Sequence, residues 1–256
     1  MSDTDIAAYA LRLGDDALVL AQRMGDWIAS APQLEEDVAL ANIALDLLGQ
    51  ARALLTYAGA LVLGADGGPR SEDDLTYLRD EREFVNAQLV ELPDHGDFGH
   101  CIARLLVFSS WQYELYAALA DSADQTLAAV AAKAVKEVDY HRDHATQWVL
   151  RLGDGTPMSR QRMQHALDAV WPHVEELFET DDLVVRLVSE RVAVDPAELR
   201  TPVLAYVAAV VDRATLAVPV TTVRHSGGRR GIHTEAMGYL LAELQHLARS
   251  HPGATW

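Results

Sequence analysis

Alanine and leucine recur at intervals of three and four residues along most of this 256-residue chain, and alternating strand patterns are hard to find. That spacing lines apolar side chains along one side of an α-helix, whereas a half-buried strand needs a period of two. The chain therefore reads as all-α. Its length, with half of the residues hydrophobic, is enough for one large domain with a sizeable core.

The periodic stretches predict a helix from about Thr4 to Ser30, a second from Leu34 to about Leu63 and a third from about Asp73 to Glu91. A fourth runs from about Phe98 to Ala120, almost wholly apolar, and a fifth opens at "DSADQ" and ends near Gly153. Pro32 marks the first break and the glycine-rich "GADGGPRSEDD" the second. The last four are expected to form a bundle, with the first helix in front of it. In the Leu34 helix, Leu34, Val38, Ala41, Leu45, Leu48, Leu55 and Val62 form one apolar stripe, and Leu40, Ile43, Leu47 and Leu54 fall on the other side. That helix is expected to be covered on two faces. Within a single domain of residues 1–256, residues 1–155 read as the bundle core. Residues 156–256 read as an extension of shorter helices carrying the basic loop "PVTTVRHSGGRRGIHTE".

A formal charge of −17 repels nucleic-acid phosphates and anionic lipid, so neither is expected as a partner. With Cys101 as the only cysteine there is no internal disulfide and no multi-cysteine metal site, which suits a reducing compartment and points to the cytoplasm. The start, "MSDTDIAAYA", is acidic where a secretory signal would be basic, and no uninterrupted apolar run is long enough to span a bilayer.

The stretch "KEVDYHRDH" outlines half of a metal site. A carboxylate-bridged di-iron bundle takes one acid from each of two helices and a Glu-x-x-His pair from each of the other two. Four carboxylates cancel the charge of two divalent ions that a low-dielectric core cannot solvate. Val138, three residues before His141, stands where the bridging acid belongs, inside the stripe of Leu127, Ala134, Ala145 and Leu152. In the Asp73–Glu91 helix the inward acid is expected to be Glu81, and Phe84 occupies the ligand position three residues on. The remaining helices offer Asp46 with Asn42, and Arg104 or Glu114. A permanently cationic Arg104 opposes metal binding and suits a salt bridge with Glu81 or Asp46. The positions Asp46, Glu81, Phe84, Arg104, Val138 and His141 thus read as a degenerate site without a metal. The alternative is a single ion held by Glu137, His141 and His144; the plainer reading pairs Glu137 with His141 and leaves His144 at a solvated rim.

Other motifs carry less. Cys101 in "GHCIARLL" reads as a small buried apolar residue, "SGG" lacks a nucleophile elbow, and "GGRRG" lacks the lysine of a P-loop. Trp27, Trp111, Trp148 and Trp171 read as core or interface, and the terminal Trp256 as a residue that docks on this subunit or a neighbour. The basic island of Arg224, His225, Arg229, Arg230 and His233 around Gly227, Gly228 and Gly231 is better suited to binding. Its glycine amides and arginine forks match a phosphate or an acidic partner patch; the alternative is a flexible solvated loop tied to nearby acids.

The segments "YALRLGDDALVLAQRMGDWIASAPQLEEDVALANIALDLLGQAR", "RDEREFVN", "KAVKEVDYHRDHATQWVLRLG", "VAVDP" and "GGRRGIHTE" together carry a resemblance over essentially the whole chain. The sequence resembles the structural C subunits of the bacterial phenylacetyl-CoA 1,2-epoxidases, multicomponent monooxygenases of phenylacetate degradation. The resemblance implies a ferritin-like bundle without catalytic residues of its own. It also implies a catalytic A subunit as partner, which holds the di-iron centre and is fed electrons by a reductase. Contact of the basic loop with the CoA phosphates is a further expectation. Two other functions stay open on the residues alone: an autonomous metal-dependent oxidase on the same fold, and a helical module that binds CoA esters.

Overall fold

The structure, a computed structural model, describes residues 2–64 and 67–254. Its helices are α1 (Asp3–Gly25), α2 (Leu34–Leu61), α3 (Glu72–Tyr77), α4 (Gln88–Glu91), α5 (Phe98–Leu119), α6 (Gln125–Gly153), α7 (Pro157–Val170), α8 (Asp182–Ser189), α9 (Pro196–Arg213) and α10 (Glu235–Ser250). Single turns of 3-10 helix punctuate the chain, and the described residues contain no strand, only one isolated bridge between Leu63 and Pro69. The all-α expectation holds. Trp256 lies outside the described residues.

The bundle consists of α1, α2, α5 and α6. Helices α1 and α2 form one antiparallel pair, α5 and α6 the other, and α2 meets α6 across the middle. The pairs are joined through apolar faces such as Ile43, Leu47 and Leu54 of α2 and Leu127, Ala134, Val138 and Ala145 of α6, all removed from solvent. Helix α5 is buried almost all round, from Cys101 to Gln112, because α7 and α9 cover the side that the bundle does not. Helix α6 starts at Asp124, whose side chain accepts the amides of Thr126 and Leu127, and α7 starts with a Thr156–Ser159 capping box followed by Pro157.

Two sequence expectations are overturned here. Helix α1 belongs to the bundle rather than in front of it, and residues 73–91 are not a bundle helix at all. That segment breaks into α3, one 3-10 turn at Glu81–Glu83, and the single turn α4. The reason is tertiary: the amides of Val85 and Ala87 donate to Asp15 and Asp16 of α1, and that of Gln88 donates to Glu176, so helical partners are not needed. Helix α1 also ends at Gly25, earlier than expected. Ala29 sits at φ +65° and donates its amide to Asp37, closing a tight connection into α2.

Among the described residues one helix, α2, is long and apolar enough to cross a membrane by length and composition, which the sequence reading did not anticipate. Its inner face is buried against α1 and α6, and Asp46 and Arg52 interrupt the rest. The expectation that α2 is covered on both faces fails: Leu34, Val38, Leu45 and Leu48 stand exposed.

Candidate functional site

At the centre of the bundle α2 and α6 present matching pairs at three-residue spacing. Leu47 and Gln50 lie on α2, Val138 and His141 on α6, and all four are buried. Gln50 donates from Nε2 to Glu137 Oε2 at 3.1 Å and accepts from Nε2 of Gln112 on α5 at 3.0 Å. Gln112 also reaches the Tyr116 hydroxyl at 3.4 Å, and burial pushes that phenol well above its ordinary pKa. His141 Nε2 lies 3.1 Å from Asp46 Oδ2. A carboxylate only accepts, so Nε2 carries the proton.

These contacts revise the expected pairings. Glu137 partners Gln50 and, at 3.5 Å, Lys133, rather than His141. His144 is mostly buried, 3.1 Å from Glu36, rather than at a solvated rim. Burial holds the His144 imidazolium below its usual pKa, only partly opposed by Glu36.

The donor set does not fit a di-iron centre. Where α2 and α6 would each supply Glu-x-x-His, they supply Leu-x-x-Gln and Val-x-x-His. Helix α5 supplies the neutral Gln112. Helix α1 supplies two inward acids, and arginines take both: Asp15 pairs with Arg79 at 2.5 Å and Asp16 with Arg229 at 2.7 Å. Among the described residues no three His, Cys, Asp or Glu side chains converge as metal ligands do.

Three further positions sit elsewhere than expected. Glu81 lies exposed on the 3-10 turn and faces no bundle interior. Phe84 is fully buried, but in an extended segment, with the Arg79 guanidinium 4.0 Å above its ring. Arg104 pairs with neither Glu81 nor Asp46. Asp94, ten residues earlier, meets it instead at 2.8 Å, together with the Leu92 carbonyl. Trp27 Nε1 donates to the same Asp94 oxygen at 2.9 Å. Cys101 is buried 4.0 Å from Met24 Sδ, and burial raises its thiol pKa, so it behaves as an apolar residue.

The basic glycine loop is largely turned inward. The amides of Gly227 and Gly228 both donate to Glu176 Oε1, at 2.8 and 2.7 Å, so the cradle read as an anion site holds the chain's own carboxylate. Gly228 is obligatory there, because a Cβ would lie 2.1 Å from the Asn86 carbonyl oxygen. The Arg229 side chain, 17% exposed, pairs with Asp16 and also donates to the carbonyls of Val85 and Arg12. His233 donates from Nδ1 to Glu91 at 2.8 Å and from Nε2 to the Phe84 carbonyl at 3.0 Å. Burial would lower the His233 pKa, but these two acceptors hold it above the ordinary value. Only Arg224, Arg230 and His225 remain on the surface, with His225 stacked on His173 at 4.7 Å. The acids that organise this region, Asp15, Asp16, Glu91, Asp94 and Glu176, do not stand out in the sequence. The one available signal is "GDD" inside the apolar face of α1.

The chain is 47% identical over 251 residues, 98% of it and 99% of the relative, to the C subunit of the 1,2-phenylacetyl-CoA epoxidase of Escherichia coli (strain K12). The family model described as phenylacetic acid catabolic protein matches residues 1–256, and its members are ferritin-like. Bundle, matched length and identity lead to one assignment: this chain belongs to the phenylacetic acid catabolic protein family.

Proposed function

We propose that the chain is a structural, non-catalytic subunit of a phenylacetyl-CoA epoxidase complex, cytoplasmic, and paired with a catalytic A subunit. That partner holds the di-iron centre and carries out the oxygen-dependent epoxidation of phenylacetyl-CoA. The relative's name, a subunit of such an epoxidase, supports membership of a complex. The observation that carries the non-catalytic reading is the replacement of two Glu-x-x-His pairs by Leu47 with Gln50 and Val138 with His141.

The chemistry follows from charge. Two divalent ions need about four carboxylates in a dry core, and the effective penalty for an uncompensated buried ion is several kcal/mol. The centre of this bundle instead carries amide-to-amide and amide-to-carboxylate hydrogen bonds where an ion would need further carboxylates. What the chain contributes is a rigid, self-sufficient body against which its catalytic partner is held.

Metal analysis and reconstitution test this. After exposure to ferrous iron and gel filtration, the purified chain should retain only substoichiometric iron and show no turnover alone. The A subunit should gain stability and activity when it is added. Stoichiometric iron with turnover by this chain alone, or an A subunit fully active and stable without it, would refute the proposal.

A further inference from the structure

A run of exposed apolar side chains lies on α2. Leu34, Val38, Ala41, Leu45 and Leu48 follow one another at alternating spacings of four and three, and Leu55 continues the register. Leu34 is 75% exposed, Val38 55%, Leu45 64% and Leu48 38%, with Ile28 beside them at 58%. This alternation is the seam of a helix that meets another helix, not the scattered apolar exposure of an ordinary surface. Between α1, α2, α3 and Leu244 of α10 the seam deepens into a groove of about 590 Å³. The small Ala41, Ala44 and Ala51 in its lining let a second backbone come close.

Charge selects the occupant. The seam is flanked by Glu35 and Asp37, and Glu72 and Asp73 of α3 stand at the groove. The groove's cation, Arg52, is already spent on Glu72 at 2.8 Å. A second copy would bring the same acids and a further formal charge of −17 to this face. A lipid surface meets the same acids, and α2 cannot leave the bundle without exposing Ile43, Leu47 and Leu54.

We infer that the exposed α2 seam and its groove receive a helix of a non-identical partner subunit, apolar at three-and-four spacing and flanked by lysine or arginine. The inference rests on the subunit reading above and locates its contact surface. Leu45 and Leu48 anchor the occupant, and Glu35 and Asp73 steer it. Within the basic loop Arg229 is held by Asp16 and His233 by Glu91, so neither is free to anchor this helix.

The test measures binding of the full chain to the A subunit by titration, alongside the mass of the chain alone and its binding to neutral and anionic lipid vesicles. Leu45→Lys with Leu48→Lys should weaken the complex roughly 100-fold or more, as expected when two central aliphatic anchors are lost. Glu35→Lys with Asp73→Lys should slow association about tenfold at low salt and flatten its salt dependence. Both double variants replace exposed or rim residues and should keep wild-type helicity and Tm. Unchanged affinity in both variants, while the wild type binds, overturns the inference and leaves the subunit reading standing. A wild-type homodimer that only the leucine variant dissociates, with the A complex intact, assigns the seam to a second copy and also overturns it. Vesicle binding lost in that variant, with the complex intact, assigns it to lipid with the same result. Failure of the wild type to bind the A subunit at all defeats the subunit reading, and this inference with it.

Discussion

Replacing Glu176 with alanine leaves three backbone amides without their acceptor at once. Its Oε1 takes the amides of Gly227 and Gly228, and its Oε2 takes that of Gln88 at 2.6 Å. Burial raises the carboxyl pKa, and these three amides, with Arg229, work against that rise. Each buried donor left without a partner costs ~1–3 kcal/mol, so three cost ~3–9 kcal/mol. Water entering the space vacated by the side chain returns part of this, which leaves an expected loss of ~3–5 kcal/mol. Glu176→Gln keeps one oxygen for the two glycines but turns an N–H toward the Gln88 amide, and should cost only ~1–3 kcal/mol. Denaturant titration gives both values, and hydrogen exchange should show the amides of Gly227, Gly228 and Gln88 losing protection together in the alanine variant. Gly228→Ala attacks the same contact from the other side, since its methyl would overlap the Asn86 carbonyl. A cost below ~1 kcal/mol for Glu176→Ala, with the three amides still protected, would refute the claim that this carboxylate holds the loop.

Two more perturbations probe the centre and the pH response. Val138→Glu puts a lone carboxylate at a fully buried position and should destabilise the chain by ~3 kcal/mol or more, read by thermal melts. Adding Leu47→Glu and Gln50→His restores both Glu-x-x-His pairs, so ferrous iron should raise the Tm of the triple variant and not of Val138→Glu alone. An equal effect of iron on both would contradict the assignment of these positions. The raised pKa of His233 means that the folded state binds a proton more tightly than the unfolded chain does. Its stabilising contribution is therefore full below the unfolded value near 6.5 and fades as pH rises through the folded value. Stability of His233→Gln should lack that alkaline decline, and an unchanged pH profile would argue against the His233–Glu91 ion pair.

The helices that sequence periodicity locates best are those whose stripes face neighbours of ordinary apolar character, α2, α5 and α6. Val138 and His141 fall inside the stripe drawn for them, since a helix carries its register along its whole length. The 73–91 segment misleads for the opposite reason. Its apolar residues fit a helix, but its amides are claimed by Asp15 and Asp16, about 70 positions earlier, and by Glu176, 88 positions later. No local pattern encodes partners so distant. The basic loop is legible only in part: its glycines and arginines advertise an anion, which the sequence leaves open between an outside ligand and acids of the chain itself, and the fold supplies Glu176, Asp16 and Glu91.

The same distant partners explain how the irregular parts of the bundle are fixed. In a metal-centred bundle an ion cross-braces the helices; here buried charged pairs tie later segments back to earlier ones. Arg79 ties its segment to Asp15, Arg229 ties the C-terminal loop to Asp16, and His233 ties it to Glu91. Such pairs add little net stability over apolar packing, yet breaking one is costly, so they act mainly by excluding other arrangements. Each also withdraws a cation from the surface. Beside the α2 groove of an already acidic chain Arg52 is likewise taken by Glu72, and a helix that docks there is selected as much by its charge as by its apolar seam.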